Sequence, residues 1–170
     1  MVALRSSGRR PVSSRTRGAV ASAVVLLAAA CSAAPPQIDA PHLPAAQART
    51  CGELVRDLPH TLAGEQRRDD VTGDTRYGAA WGDPAIVLTC GVGAVDLSEV
   101  PPCAQVNGVG WVVPPGELSG DRDATFTADG YRPRVRLVVP KDYLPEGGAA
   151  ALAELAHVVK QHLRLVERCQ

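Results

Sequence analysis

Thiols are the most reactive side chains in this 170-residue chain, and one of them, Cys31, stands apart from the rest. It terminates the apolar run Val24-Val25-Leu26-Leu27-Ala28-Ala29-Ala30. The tail before that run carries Arg5, Arg9, Arg10, Arg15 and Arg17 and no acidic residue. A basic start, an apolar stretch of about 13 residues and small residues before the cut describe a secretory signal. The stretch is too short to span a bilayer permanently. A cysteine placed directly after the small residues reads as a bacterial lipoprotein signal. Residues 1–30 are then removed, and Cys31 carries fatty acyl groups, palmitate among them, as the mature N-terminus. The expected location is the outer face of the cell membrane, with the membrane itself a partner through the lipid on Cys31.

Four cysteines follow: Cys51, Cys90, Cys103 and Cys169. An even number in an exported chain reads as two disulfides, with three connectivities open. The favoured pairs are Cys90–Cys103, a short bridge, and Cys51–Cys169, which ties the ends of the domain together. Zinc is the rival use of four thiolates, but no Cys-x-x-Cys pair is present, so no metal is assigned. Paired cysteines also offer no nucleophile.

Two groups of residues form a candidate ligand surface. In Trp81-Gly82-Asp83-Pro84 the indole has a face for stacking and Asp83 an acceptor for hydrogen bonds. The competing reading is a tight turn, in which Gly82 supplies backbone freedom, Asp83 caps, Pro84 fixes φ and Trp81 fills the core. That structural duty is favoured for Trp81, and for Trp111 likewise. Arg132, Arg134 and Arg136 alternate along one predicted strand, so their guanidinium groups share a face that suits an anion. Solvated arginines facing Asp123 or Asp129 are the simpler alternative.

Catalytic patterns are poorly supplied. The chain has no Gly-x-Ser-x-Gly, no His-Glu-x-x-His and no phosphate-binding loop. His42 and His60 lie beside prolines or in a proline-rich segment. His157 and His162 are five apart, roughly 140° around a helix, and so cannot chelate as an i,i+4 pair does. Asp69-Asp70 beside Arg67-Arg68 reads as a solvated charge run. No catalytic residue and no cofactor is assigned. The formal charge is zero, but five of the 18 basic residues precede Cys31 while all 18 acids follow it. The mature chain is therefore near −5 and is not expected to bind nucleic acid.

The elements that must position these residues begin after a proline-rich segment, with Pro35, Pro36, Pro41 and Pro44. Residues 31–48 are expected to be an extended tether, reaching roughly 50 Å at about 3.1 Å per residue. Residues 49–170 then form one domain of ordinary size. Thr50-Cys51-Gly52-Glu53 resembles a capping box that opens a short helix ending near Leu58. Gly64 to Gly78 reads as a long exposed loop. Strands are predicted at Ala85–Cys90, Val109–Val113, Ala124–Ala128 and Arg134–Val139. Asn107-Gly108 signals a tight hairpin turn. Ala149 to Leu165 carries an amphipathic stripe of Leu152, Leu155, Ala156, Val159 and Leu163. The predicted class is α+β: a small antiparallel meander of about four strands, with a short N-terminal and a longer C-terminal helix packed on it.

Three stretches carry a family resemblance: Ala79-Ala80-Trp81-Gly82-Asp83-Pro84-Ala85-Ile86-Val87-Leu88, Cys90-Gly91-Val92, and Val106-Asn107-Gly108-Val109-Gly110-Trp111. Gly130-Tyr131-Arg132-Pro133 leading into Val135-Arg136-Leu137-Val138-Val139-Pro140 adds a weaker one. From Cys51 to the C-terminus the chain resembles a family known as domain of unknown function 3515, found in actinobacterial lipoproteins. The family more often has arginine directly after the glycine, where this chain has Tyr131. The resemblance implies an exported, disulfide-bearing envelope protein and brings no activity with it.

These readings converge on a lipid-anchored envelope protein with a non-catalytic binding domain. Its expected partner is an unknown envelope protein or an anionic envelope component. Two alternatives stand beside it. One is a hydrolase-like envelope enzyme with a carboxylate near Asp83, for which a pocket joining Asp83 to Arg132 is the discriminating feature. The other is a small-ligand carrier, which needs a deep apolar cavity.

Overall fold

Alternating apolar residues dictate the centre of the molecule. In the computed structural model, which describes residues 34–96, 103–115, 117 and 120–168, the strand β11 (Val135–Val139) presents Val135, Leu137 and Val139 inward and Arg136 to solvent. On one side it pairs antiparallel with β6 (Ile86–Cys90), and on the other with β9 (Ala124–Thr127). Leu137 stands between Leu88 and Phe126 in register, so one row of the core crosses three strands. The full sheet has six strands in the order β5-β6-β11-β9-β8-β7, with β5 at Gly78–Trp81, β7 at Cys103–Val106 and β8 at Val109–Val112.

All four predicted strands exist, and the class is mixed α+β, but the sheet is larger and differently ordered than a four-strand meander. Strands β8, β9 and β11 do follow one another. The Ile86–Cys90 strand joins β11 rather than β8, because β7 already occupies the outer edge of β8. The β7–β8 hairpin turns at Asn107-Gly108, where φ is positive at both residues (48° and 82°), the geometry that matches strand twist.

Two helices are described. The helix α1 (Ala45–Arg56) buries Cys51 and Leu54, and α2 (Glu146–His162) buries Leu152, Leu155, Ala156 and Val159. A 3-10 turn at Lys141–Tyr143 precedes α2. The predicted capping box is not formed. Thr50 lies inside α1 and its hydroxyl donates back to Ala46 O (3.2 Å), because the helix begins five residues earlier, just after Pro44. No described helix is long and apolar enough to cross a membrane.

The expected tether is largely part of the fold. Residues Gln37–Asp39 form β1, which pairs in parallel with β4 (Thr72–Asp74). Pro36 O accepts the Thr72 N–H (2.9 Å), and the Ala40 N–H donates to Asp74 O (3.0 Å). Ile38 is 2% exposed. A side chain at Gly78 would meet Ile38 Cγ2 at 2.8 Å, so the missing Cβ is what lets Ile38 seat. Leu43 packs in the same way over Gly91, where a Cβ would lie 2.6 Å from its methyl groups. The predicted loop from Gly64 to Gly78 accordingly holds β3 (Glu65–Gln66), paired with β2 (Thr61–Leu62), as well as β4. The remaining pair joins β10 (Tyr131–Arg132) to β12 (Arg164–Leu165).

Cys51 on α1 is bonded to Cys90 at the end of β6, with Cα atoms 5.6 Å apart. This corrects both expected pairs, Cys90–Cys103 and Cys51–Cys169. Strands β6 and β7 are four positions apart in the sheet, about 19 Å at ~4.8 Å per strand, far beyond the span of a disulfide. Cys103 is also disulfide-bonded, to a partner outside the described residues. Cys31 and Cys169 lie outside them too.

Candidate functional site

The Trp81-Gly82-Asp83-Pro84 turn connects β5 to β6, and the structure uses its four residues in different ways. Trp81 is fully buried and its Nε1–H donates to Pro59 O (3.0 Å). The Arg67 guanidinium lies over its ring, 6.0 Å from the centroid. Trp81 is thus a core residue that fixes the base of the turn and cannot face a ligand. Gly82 has φ +75°, and any Cβ there would lie 2.6 Å from the Tyr143 hydroxyl and 2.9 Å from Glu65. That crowding and the positive φ together require glycine. Asp83 follows with a half-exposed side chain.

Arg68 organises the turn. Its guanidinium grips Asp70 with two bonds, Nε to Oδ1 at 2.8 Å and Nη2 to Oδ2 at 2.5 Å. Its Nη1 donates to Gly82 O (3.0 Å) and lies 3.7 Å from Asp83 Oδ1. The backbone supports this placement: the Arg68 N–H donates to Ala80 O, and the Gly82 N–H to Gln66 O. The bond to Asp70 raises the Arg68 pKa further and lowers that of Asp70. On the other side stands Tyr143, from the turn before α2. Burial raises its phenol pKa, the Glu65 charge adds to this, and a hydrogen bond with the Asp83 backbone opposes it.

Arg68, Asp70, Gly82 and Asp83 line an open groove of about 710 Å³, with Tyr143 packed behind Gly82. Gln66, Arg67, Arg68, Asp70 and Asp83 contribute its polar wall, and Ala34 and Pro35 form part of its rim. Chemically it offers fixed guanidinium donors beside carboxylate acceptors. Three of the five N–H donors of Arg68 are committed to Asp70 and Gly82, leaving others for a ligand.

The arginine row predicted from sequence is not a row. Arg132 belongs to β10 and Arg136 to β11, with the cis Arg132-Pro133 peptide between them. Arg132 donates to Asp129 O (2.5 Å) and Tyr131 O (2.8 Å). Arg134 pairs with Asp129 at 2.6 Å, both side chains largely buried. Only Arg136 faces solvent. The groove that holds Asp83 is lined by Arg68 and not by Arg132, so the pocket that would discriminate in favour of the enzyme alternative is not the one found at Asp83. Sequence reading missed Arg68, Asp70 and Tyr143 as site residues. The adjacent Arg67-Arg68 and Asp69-Asp70 pairs were the available signal, and they read as a solvated run.

Other features are smaller. An apolar cavity of about 220 Å³ lies between β7, β9 and the start of α2, lined by Ala104, Val106, Phe126, Leu144, Pro145 and Leu152. His162 Nε2 contacts Asp57 Oδ2 at 2.8 Å, linking the ends of the two helices. Among the described residues no group of His, Cys, Asp and Glu is placed to hold a metal ion.

The family model described as "Protein of unknown function (DUF3515)" matches residues 16–167, a span that takes in the groove and both helices. No curated protein and no solved structure matches the chain.

Proposed function

This chain belongs to that family of unknown function, DUF3515, and on that premise we propose that it is a lipid-anchored cell-envelope protein whose domain binds another envelope component through the Arg68–Asp83 groove. The observation that carries the binding role is the clamp on Arg68. A guanidinium held by Asp70 and Gly82 O loses little side-chain freedom when a ligand arrives, and such preorganisation is a main determinant of affinity. The anchor rests on the sequence alone: a basic tail, an apolar run and Cys31.

A binding role is favoured over hydrolysis because Arg132, whose meeting with Asp83 the enzyme alternative required, is not among the residues that line the Asp83 groove. It is favoured over a carrier role because the apolar cavity, about 220 Å³, falls below the roughly 300–1,000 Å³ of ordinary ligand pockets. Two experiments test the proposal. Cys31→Ala should abolish metabolic labelling with fatty acid, and continued labelling overturns the anchor. A photocrosslinker placed at Gln66 in living cells should capture a discrete partner, lost in Arg68→Ala and kept in Arg136→Ala. Identical capture in all three chains refutes the groove as the binding site. Turnover of an envelope substrate by the purified domain, lost in Asp83→Asn, moves the assignment to an enzyme.

A further inference from the structure

A lipidated cysteine followed by a proline-rich tether would display its domain far from the membrane and in no fixed orientation. The structure removes most of that tether. Pro36 is held by Thr72, whose N–H and hydroxyl both donate to Pro36 O (2.9 and 3.3 Å). Gln37, Ile38 and Asp39 are in register with Thr72, Gly73 and Asp74, and Ile38 is buried. Ala34 and Pro35, immediately before this ladder, already line the Arg68–Asp83 groove. Ala34 lies only three positions after Cys31 in the chain. At ~3.3–3.6 Å per residue that stretch spans at most about 11 Å. The acyl chains of a lipidated Cys31 lie in the hydrocarbon core, which places its backbone in the headgroup layer, roughly 5–8 Å thick on each side.

We infer that the domain rests directly on the bilayer, with the groove rim at its membrane-proximal end and the phospholipid headgroup layer as the surface that this face meets. This placement rests on the lipid anchor proposed above and deepens it: whatever the groove binds is membrane-borne or reaches it along the membrane surface. The charges agree with covalent rather than electrostatic orientation. Glu65, Asp70 and Asp83 share the groove with Arg67 and Arg68, so the face carries both signs and has no basic patch to seek anionic lipid. The opposite sheet edge, β7, is five strand spacings from β5, about 24 Å at ~4.8 Å each.

The test uses the full lipidated chain in vesicles of phosphatidylethanolamine and phosphatidylglycerol. A benzophenone amino acid replaces either Gln66, exposed on the groove, or Gln105, exposed on β7. Mass spectrometry should find phospholipid adducts at position 66 and none at 105. A twelve-residue Gly/Ser insertion after Ser32, roughly 19 Å in root-mean-square length, should abolish the adducts at 66 while the protein still floats with the vesicles. Equal adducts at both positions, none at 66 in a chain that floats, or adducts that survive the insertion overturn the placement. Flotation that persists in Cys31→Ala, or is missing in the unaltered chain, overturns the anchor itself and the placement with it.

Discussion

Replacing Ile38 by alanine is the sharpest perturbation of the N-terminal clamp. The substitution removes three buried carbons, about 2.4 kcal/mol at ~0.8 kcal/mol per buried methylene, before any cavity term. Little can move in to refill the space. The neighbour beneath Ile38 is Gly78, which has no side chain, and the backbone there is fixed by pairing with β6. The loss should therefore fall at about 3 kcal/mol, within the range of ~2–5 kcal/mol for such truncations. For a domain of this size that lowers the thermal midpoint by roughly 10 °C. Urea unfolding with the disulfides intact measures it. Amide exchange locates it: the Thr72 and Ala40 amides, which donate across the β1–β4 ladder, should exchange faster. The Ala128 amide, bonded to Val135 O at the heart of the sheet, should keep its protection relative to global stability. Unchanged urea and exchange values at Thr72 and Ala40 refute the idea that Ile38 holds the segment in place.

Other outcomes follow from single contacts. Arg76 grips the exposed Asp74 carboxylate and lowers its pKa from 3.8 to about 2. A folded value below the unfolded one means this pairing contributes above pH 3.8 and is lost as pH falls towards about 2. In Arg76→Ala a carbon-detected titration should return the midpoint of Asp74 towards 3.8, and a midpoint that stays near 2 excludes Arg76 as the cause. Trp81→Phe removes the bond from Nε1 to Pro59 O, whereas the Trp111 indole N–H is buried with no partner. Trp81→Phe should therefore be more destabilising than Trp111→Phe by ~1 kcal/mol in urea, and the reverse order refutes the assignment. Non-reducing peptide mapping should join Cys51 to Cys90. Arg168 shares a cleft with Gln105, two residues from Cys103, so the same map should join Cys103 to Cys169. A Cys103–Cys31 linkage would remove the free thiol that lipidation needs.

What was legible in the sequence was local. Val135-Arg136-Leu137-Val138-Val139 alternates because one face is solvated, and Asn107-Gly108 marks its turn because few other pairs take positive φ twice. The strand β5 was missed because Gly78-Ala79-Ala80-Trp81 is buried on both faces and so has no alternation to read. Ile38 is a lone apolar residue between polar neighbours and prolines, a pattern that matches a tether until Gly73 is known to lie beside its backbone and Gly78 beneath its side chain. The site followed the same division. Asp83 and its glycine are one turn and could be singled out. Arg68 and Tyr143 are 75 residues apart in the chain and meet only because β3 and the turn before α2 flank the same sheet edge. The arginine row failed at Pro133, where the chain leaves β10 before entering β11.

The bond between Cys51 and Cys90 also has a mechanical meaning if the domain hangs from its N-terminus by the anchor proposed above. A pull applied there first peels β1 from β4 and then unwinds the early turns of α1. It stops at Cys51, where the disulfide hands the load sideways to the end of β6, next to the central strand of the sheet. The stretch from Ala34 to Cys51 can unwind to about 60 Å of chain. Under strain the protein would then have a long leash, while at rest it has almost none. Most of the core plays no part in that limit: the load stops at a covalent bond before it reaches it.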